Sequence, residues 1–102
     1  MLTNQSRNLS ELWDEWLVGV GGNLPAKDFT SQERGKVKHK FLKRMHVWRC
    51  ISRHVNASFQ AETAIKLIYG VFGNNLSVTK IIRSFQLATR DHGPTGHPNL
   101  RV

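Results

Sequence analysis

Cysteine is nearly absent from this chain of 102 residues, which contains Cys50 alone. A single cysteine excludes an intrachain disulfide, and with it the class of small secreted domains held together by disulfides, so we expect an intracellular protein. Long apolar runs are also missing, and the polar residues 1–8 lack the pattern of a signal peptide. We therefore expect a soluble protein without a membrane partner, whose residues 1–8 form a flexible N-terminus.

Sequence motifs of enzymes are missing as well. There is no G-x-S-x-G motif and no phosphate-binding loop, and the neighbouring carboxylates Asp14 and Glu15 would diverge on a helix. His46, Cys50 and His54 have the spacing of metal ligands along one helix, but cations surround them and a fourth ligand is lacking. We expect no enzymatic activity, no metal, no cofactor and no small-molecule substrate.

Acidic residues are scarce relative to basic ones. The chain has 15 Lys and Arg against 7 Asp and Glu, which gives a formal net charge of +8. Between Glu33 and Ala61 there is no acidic residue, whereas a solvated helix face normally alternates the sign of its charges. A polyanionic partner, and nucleic acid first, is therefore favoured.

Apolar residues recur at helical spacing, and no strand-type alternation competes with them, so we predict an all-α fold, a small bundle of about four helices. The four predicted helices cover residues 10–18, 30–56, 61–72 and 77–90. Thr30 and Glu33 have the spacing of a capping box at the start of the second. We predict one helical domain over residues 9–90 and a flexible tail or linker over 91–102.

The long helix 30–56 is predicted to be central and basic. We predict that its cations contact DNA, because DNA binding requires positive charges that replace the counterions of the phosphates. The predicted contacts are Lys36, Lys38, Lys40, Lys43, Arg49 and Arg53, together with Arg44 at the border of the apolar stripe. A nuclear-localisation signal within residues 34–44 is compatible with this role, so we expect a nuclear protein.

The last two predicted helices resemble a helix-turn-helix pair, because the turn residues 73–76 and the apolar positions suit two packed helices. The side chains predicted to point outward from the final helix are Thr79, Lys80, Arg83, Gln86 and Arg90. These are side-chain types that read guanine and adenine edges in the major groove. An ordinary surface helix remains the alternative. Trp13, Trp16 and Trp48 lie within apolar stripes, so we predict that they pack in the core.

A family resemblance supports DNA binding. Residues 12–16, Leu-Trp-Asp-Glu-Trp, followed by Gly19, are similar to the opening of the C-terminal DNA-binding domain of fungal transcriptional activators of glycolytic genes. Residues 41–44, Phe-Leu-Lys-Arg, look like the Tyr-x-Arg-Arg pattern of that family, with Lys43 in place of the first arginine. The match spans residues 9–53.

The loop at residues 23–29 and the added C-terminal helices look more like the copies of this domain attached to Crypton-type tyrosine recombinases or their domesticated derivatives. The resemblance implies sequence-specific binding of duplex DNA, with Lys43 and Arg44 as contacts. No recombinase active site is carried over, because Tyr69 is the single tyrosine and lies in a predicted packing helix.

We therefore predict sequence-specific binding of double-stranded DNA, as a transcription regulator or a transposon-derived domain. Either the Lys43 and Arg44 region or the helix 77–90 enters the major groove, and the sequence leaves that choice open. One alternative is an adaptor module that recognises acidic protein partners, and another is RNA binding through exposed aromatic residues. Homodimerisation and attachment to a larger protein also remain open.

Overall fold

The computed structural model describes residues 8–19, 22, 24–93 and 97–100, and within these ranges the chain contains helices and no strand. The helices are α1 (Leu9–Leu17), α2 (Ser31–Lys36), α3 (Lys38–Asn56), α4 (Ala61–Phe72) and α5 (Val78–His92). Two short 3-10 helices lie at Ala26–Asp28 and Pro98–Leu100. The prediction of a small all-α bundle is confirmed, with one more helix than the four expected. In the described part of the chain, no helix has the length and apolar content needed to cross a bilayer.

Local capping interactions define where three of the helices begin. The side chain of Asn8 accepts a hydrogen bond from the Glu11 amide at 2.8 Å, and the Ser77 hydroxyl accepts one from the Lys80 amide at 3.3 Å. Thr30 and Glu33 form the predicted capping box at the start of α2. Hydrogen bonds from the Thr30 amide and hydroxyl hold the pKa of the Glu33 carboxyl below its ordinary value.

The predicted helix 30–56 is two helices rather than one. The chain leaves helical geometry at Val37, where φ is −126° and ψ is 31°, so the expectation of one continuous helix is wrong. Gly35 lowers the helix propensity just before the break, and Val37 packs partly against the core once the helix is interrupted. Lys36 therefore belongs to the end of α2, not to the long basic helix.

Helix α3 lies at the centre of the bundle and packs against α1, α2, α4 and α5. Its Trp48 is fully buried and donates from Nε1 to the carbonyl of Leu12 at 2.9 Å. The Trp48 ring meets Phe41 edge-on at 5.3 Å and stacks on Trp16 at 5.1 Å. Trp13 is also buried and Trp16 is half-buried against the core, which confirms the predicted packing of the tryptophans.

The C-terminal segment is more ordered than the sequence suggests. Helix α5 continues to His92, two residues beyond the predicted end at 90, and Leu100 is 1% exposed within the core. The His97 ring contacts Phe72 at 5.8 Å. The prediction of a flexible tail is therefore wrong for residues 97–100, because an apolar side chain is buried there. Residues 1–7 of the predicted flexible N-terminus, and 94–96 and 101–102 of the tail, lie outside the described residues.

Candidate nucleic-acid interface

Helix α3 has a buried side and also carries several exposed cations. The buried residues of α3 are Phe41, Arg44, Val47, Trp48, Cys50, Ile51 and His54. We call four of its exposed cations, Lys38, Lys43, Arg49 and Arg53, the α3 basic surface. Lys38, Arg49 and Arg53 lie along one side of the helix, and Lys43 lies about 80° or more around the helix from them. From the first to the last of them the helix rises about 22 Å at about 1.5 Å per residue. That length is well over half of one turn of B-form DNA, which rises about 34 Å.

The positive charge of the α3 basic surface is not neutralised by ion pairs with carboxylates in the described part of the chain. Ion pairs within the described ranges join Glu15 to Arg44, Glu62 to Lys66 and Asp91 to Arg90. None of these pairs includes a member of the α3 basic surface. Two further predicted contacts, Lys36 and Lys40, are also exposed. The cations predicted as contacts on the helix 30–56, other than Arg44, are therefore exposed on the folded chain, Lys36 at the end of α2 and the others on α3.

Arg44 departs from this pattern. It is 7% exposed, and its guanidinium donates a hydrogen bond to the carboxylate of Glu15, which is 2% exposed. The prediction that Arg44 contacts DNA is corrected, because its charge is directed inward and paired. Of the two residues carried over from the family resemblance, the structure brings Lys43 alone to the surface. A partial signal was present in the sequence, since Arg44 lies at the border of an apolar stripe.

The histidine and cysteine positions of α3 lie deeper than predicted. Cys50 is fully buried and His54 is 5% exposed, with its Nδ1 at 2.8 Å from the Cys50 carbonyl oxygen. Burial raises the pKa of the Cys50 thiol to about 11, although Arg53 acts in the opposite direction. Burial and then the charge of Arg49 lower the pKa of His46. No metal-binding group of three or more such residues occurs in the described ranges.

Helix α5 presents the predicted base-reading residues. Thr79, Arg83 and Arg90 are exposed and Gln86 is half-buried, and their spacing of four, three and four residues places them along one line of the helix. Lys80 is exposed to one side of that line, with its carbonyl accepting from the Ser84 hydroxyl at 2.9 Å. We call Thr79, Arg83, Gln86 and Arg90 the α5 row. The opposite side of α5 is anchored by Val78, Ile81, Phe85 and Ala88, which are buried.

A short turn joins α4 to α5. Gly73 has φ of 136°, a value that residues with a Cβ rarely adopt, and an added Cβ would lie 3.3 Å from Cγ of Leu76. Across the turn, the rings of Phe72 and Phe85 meet edge-on at 5.1 Å. Both helices also pack on α3. The result is a helix, a tight turn and a second helix, supported by a third.

The arrangement combines two kinds of side chain on one bundle: cations suited to phosphate oxygens on α3, and donors and acceptors suited to base edges on α5. The likeness to fungal activators and Crypton-type domains stays a prediction based on the residues quoted for it. No known protein family, curated protein or solved structure matches this chain.

Proposed function

We propose that this domain binds double-stranded DNA sequence-specifically, with the α3 basic surface on phosphates and the α5 row in the major groove. The observation that carries the proposal is the α3 basic surface, four exposed cations on one helix without carboxylate partners in the described ranges. Each phosphate that such a cation neutralises releases condensed counterions, which drives association. The family resemblance supports a role in transcription regulation or as a transposon-derived domain, in the nucleus.

Base reading is assigned to α5 because the alternative, the Lys43 and Arg44 region of α3, has only one of its two cations at the surface. Burial of Arg44 against Glu15 leaves Lys43 without the guanidinium that was predicted to accompany it. By contrast, Arg83 offers the fork that pairs with guanine and Gln86 the amide that pairs with adenine. A helix that follows a tight turn and packs on another helix of the bundle, here α3, is also the element that enters the groove in helix-turn-helix domains.

Selection from a pool of random duplexes, read by sequencing, tests the proposal. We expect an enriched motif for the wild-type domain and, for Arg83→Ala, loss of preference at one position by about tenfold or more with non-specific affinity retained. The double variant Lys43→Gln/Arg49→Gln should lose affinity uniformly across sequences. Its matched control, Lys27→Gln/Lys66→Gln, removes the same charge at exposed positions outside α3.

Three outcomes would redirect the proposal. Tight retention of duplexes without an enriched motif would leave non-specific binding. Preference for single-stranded or hairpin RNA over duplex DNA would replace the proposal with RNA binding. Failure to retain any nucleic acid, together with binding to polyglutamate, would favour an adaptor for acidic proteins.

A further inference from the structure

An apolar groove lies between α2 and α3. It has a volume of about 290 Å³ and is lined by Arg34, Gly35, Lys38, Phe41, Leu42 and Met45. An engineered cavity of about 150 Å³ holds benzene, so the groove has room for a large apolar side chain.

The floor and walls of the groove differ in exposure. Phe41 forms part of the core and is 2% exposed, whereas Leu42 is 52% exposed and Met45 is half-buried. Leu42 therefore presents an apolar side chain to solvent at a place where its neighbours are also apolar. Methionine adapts its shape to an incoming group, which suits a surface that binds a side chain from outside.

Two cations form the rim. The guanidinium carbon of Arg34 lies 5.2 Å from the centroid of the Phe41 ring, and Lys38 is exposed beside it. Neither cation forms an ion pair with a carboxylate in the described part of the chain. An arginine held over an aromatic face keeps its N–H groups available for a carboxylate. Charge complementarity therefore specifies an acidic occupant with an apolar anchor.

We propose that this groove docks an acidic segment of a partner protein. One leucine or phenylalanine of the segment inserts between Phe41, Leu42 and Met45, and flanking carboxylates bind Arg34 and Lys38. This mode, an amphipathic segment in a groove, is a common form of peptide recognition. The site shares Lys38 with the α3 basic surface, but it goes beyond the proposed DNA binding because a phosphate backbone supplies negative charge and no apolar side chain to fill the groove.

Met45 makes the proposal directly measurable. The chain has two methionines, Met1 and Met45, so methyl-¹³C labelling of methionine gives one NMR signal inside the groove and one far from it in sequence. The probe is a short fluorescein-labelled peptide of Asp and Glu with one Leu and one Phe a helical turn apart. We expect a saturable shift of the Met45 methyl signal. A peptide of equal charge with both apolar residues replaced by Ser should bind at least about tenfold more weakly by fluorescence anisotropy.

Substitutions at Gly35 test the apolar part of the groove without changing the cations on its rim. Gly35 lines the groove and an added Cβ there meets no atom within 4 Å, so Gly35→Leu is designed to add an apolar side chain at the groove and Gly35→Ala serves as the control. We expect Gly35→Leu to lower the affinity for the Leu/Phe peptide at least about tenfold and Gly35→Ala to leave this affinity unchanged. Leu42→Ser, at an exposed position, should lower the affinity for this peptide as well. Both Gly35 variants should retain duplex DNA binding, so failure of this proposal is distinct from failure of the first.

Equal affinity for the serine peptide, or unchanged binding by Gly35→Leu and Leu42→Ser, would overturn the proposal. A random DNA duplex that shifts Met45 and loses affinity in Gly35→Leu would overturn it too, because the groove would then belong to the DNA interface. Thermal unfolding of each variant confirms that the bundle is intact.

Discussion

Glu15 of α1 and Arg44 of α3 form an ion pair inside the bundle, with side chains 3% and 8% exposed. The pair joins positions 29 residues apart in the sequence, next to the hydrogen bond from Trp48 to the Leu12 carbonyl. Two directional contacts therefore hold α1 against α3 in one register. The pair also removes Arg44 from the surface, which limits the candidate DNA contacts of α3 to the cations around it.

Removing one partner of this pair should destabilise the fold. Arg44→Met leaves the Glu15 carboxylate buried without its cation, and we expect a loss of about 3 to 5 kcal/mol in the free energy of unfolding. Urea denaturation followed by tryptophan fluorescence measures it. The double variant Glu15→Leu/Arg44→Met should recover most of that loss and bind duplex DNA like the wild type. A double variant that is stable but has lost DNA binding would return Arg44 to the interface.

Cys50 should be inert in the native state. The thiol is fully buried and burial raises its pKa to about 11, so the reactive thiolate is scarce near neutral pH. We expect a disulfide reagent such as Ellman's reagent to modify Cys50 quickly in denaturant and, in native buffer, only at the rate of global opening. Rapid stoichiometric modification of the native protein would contradict the packing of α3 against its neighbours.

Local features of this fold were predictable from the sequence, whereas the orientation of α3 was predicted incompletely. The apolar residues at helical spacing in the predicted helix 30–56 are Val37, Phe41, Met45, Trp48, Ile51 and Val55, but Val55 is 39% exposed. The structure buries Val47, Cys50 and His54 instead, because α4 and α5 both pack on α3 and widen its buried side. The periodicity of apolar residues indicates one buried stripe, whereas the number of neighbours that cover a helix depends on the tertiary fold.

A contact between residues close in sequence was predicted correctly, whereas a contact between distant residues was missed. The capping box of Thr30 and Glu33 is a contact between residues three apart, so sequence spacing predicts it. The burial of Leu100 depends on contact between its 3-10 helix and α4, which is distant in sequence. Glycine and proline near the C-terminus favoured a flexible tail, and the tertiary contact overrides that local preference.

The role of the C-terminal segment can be tested through Leu100. Because its side chain is 1% exposed, we expect Leu100→Ala to lower the free energy of unfolding by about 2 to 5 kcal/mol. The neighbouring Asn99 is exposed, so Asn99→Ala is the matched control and should change stability by less than about 0.5 kcal/mol. Equal stability of both variants in urea denaturation would mean that the segment does not dock.

Stability should depend on the protonation of His46. Burial lowers its folded-state pKa below the ordinary value of 6.5, so the unfolded chain binds the proton more readily. The contribution of neutral His46 to the free energy of unfolding is therefore fully present above pH 6.5. It is lost as the pH falls through the folded-state pKa. His46→Gln should flatten the pH dependence of the thermal midpoint across this window, and Ser52→Ala, half-buried on the same helix, should retain it. An unchanged profile in His46→Gln would assign the dependence to other groups.

Salt dependence of duplex binding tests the central claim most directly. Fluorescence anisotropy with one labelled duplex, across a series of salt concentrations, should give a slope of log affinity against log salt of about −4 to −7 for the wild type. Lys43→Gln/Arg49→Gln should reduce the steepness by about 2, and the control Lys27→Gln/Lys66→Gln should leave it unchanged. A flat salt response of the wild type, or equal loss in both double variants, would contradict phosphate binding by the α3 basic surface.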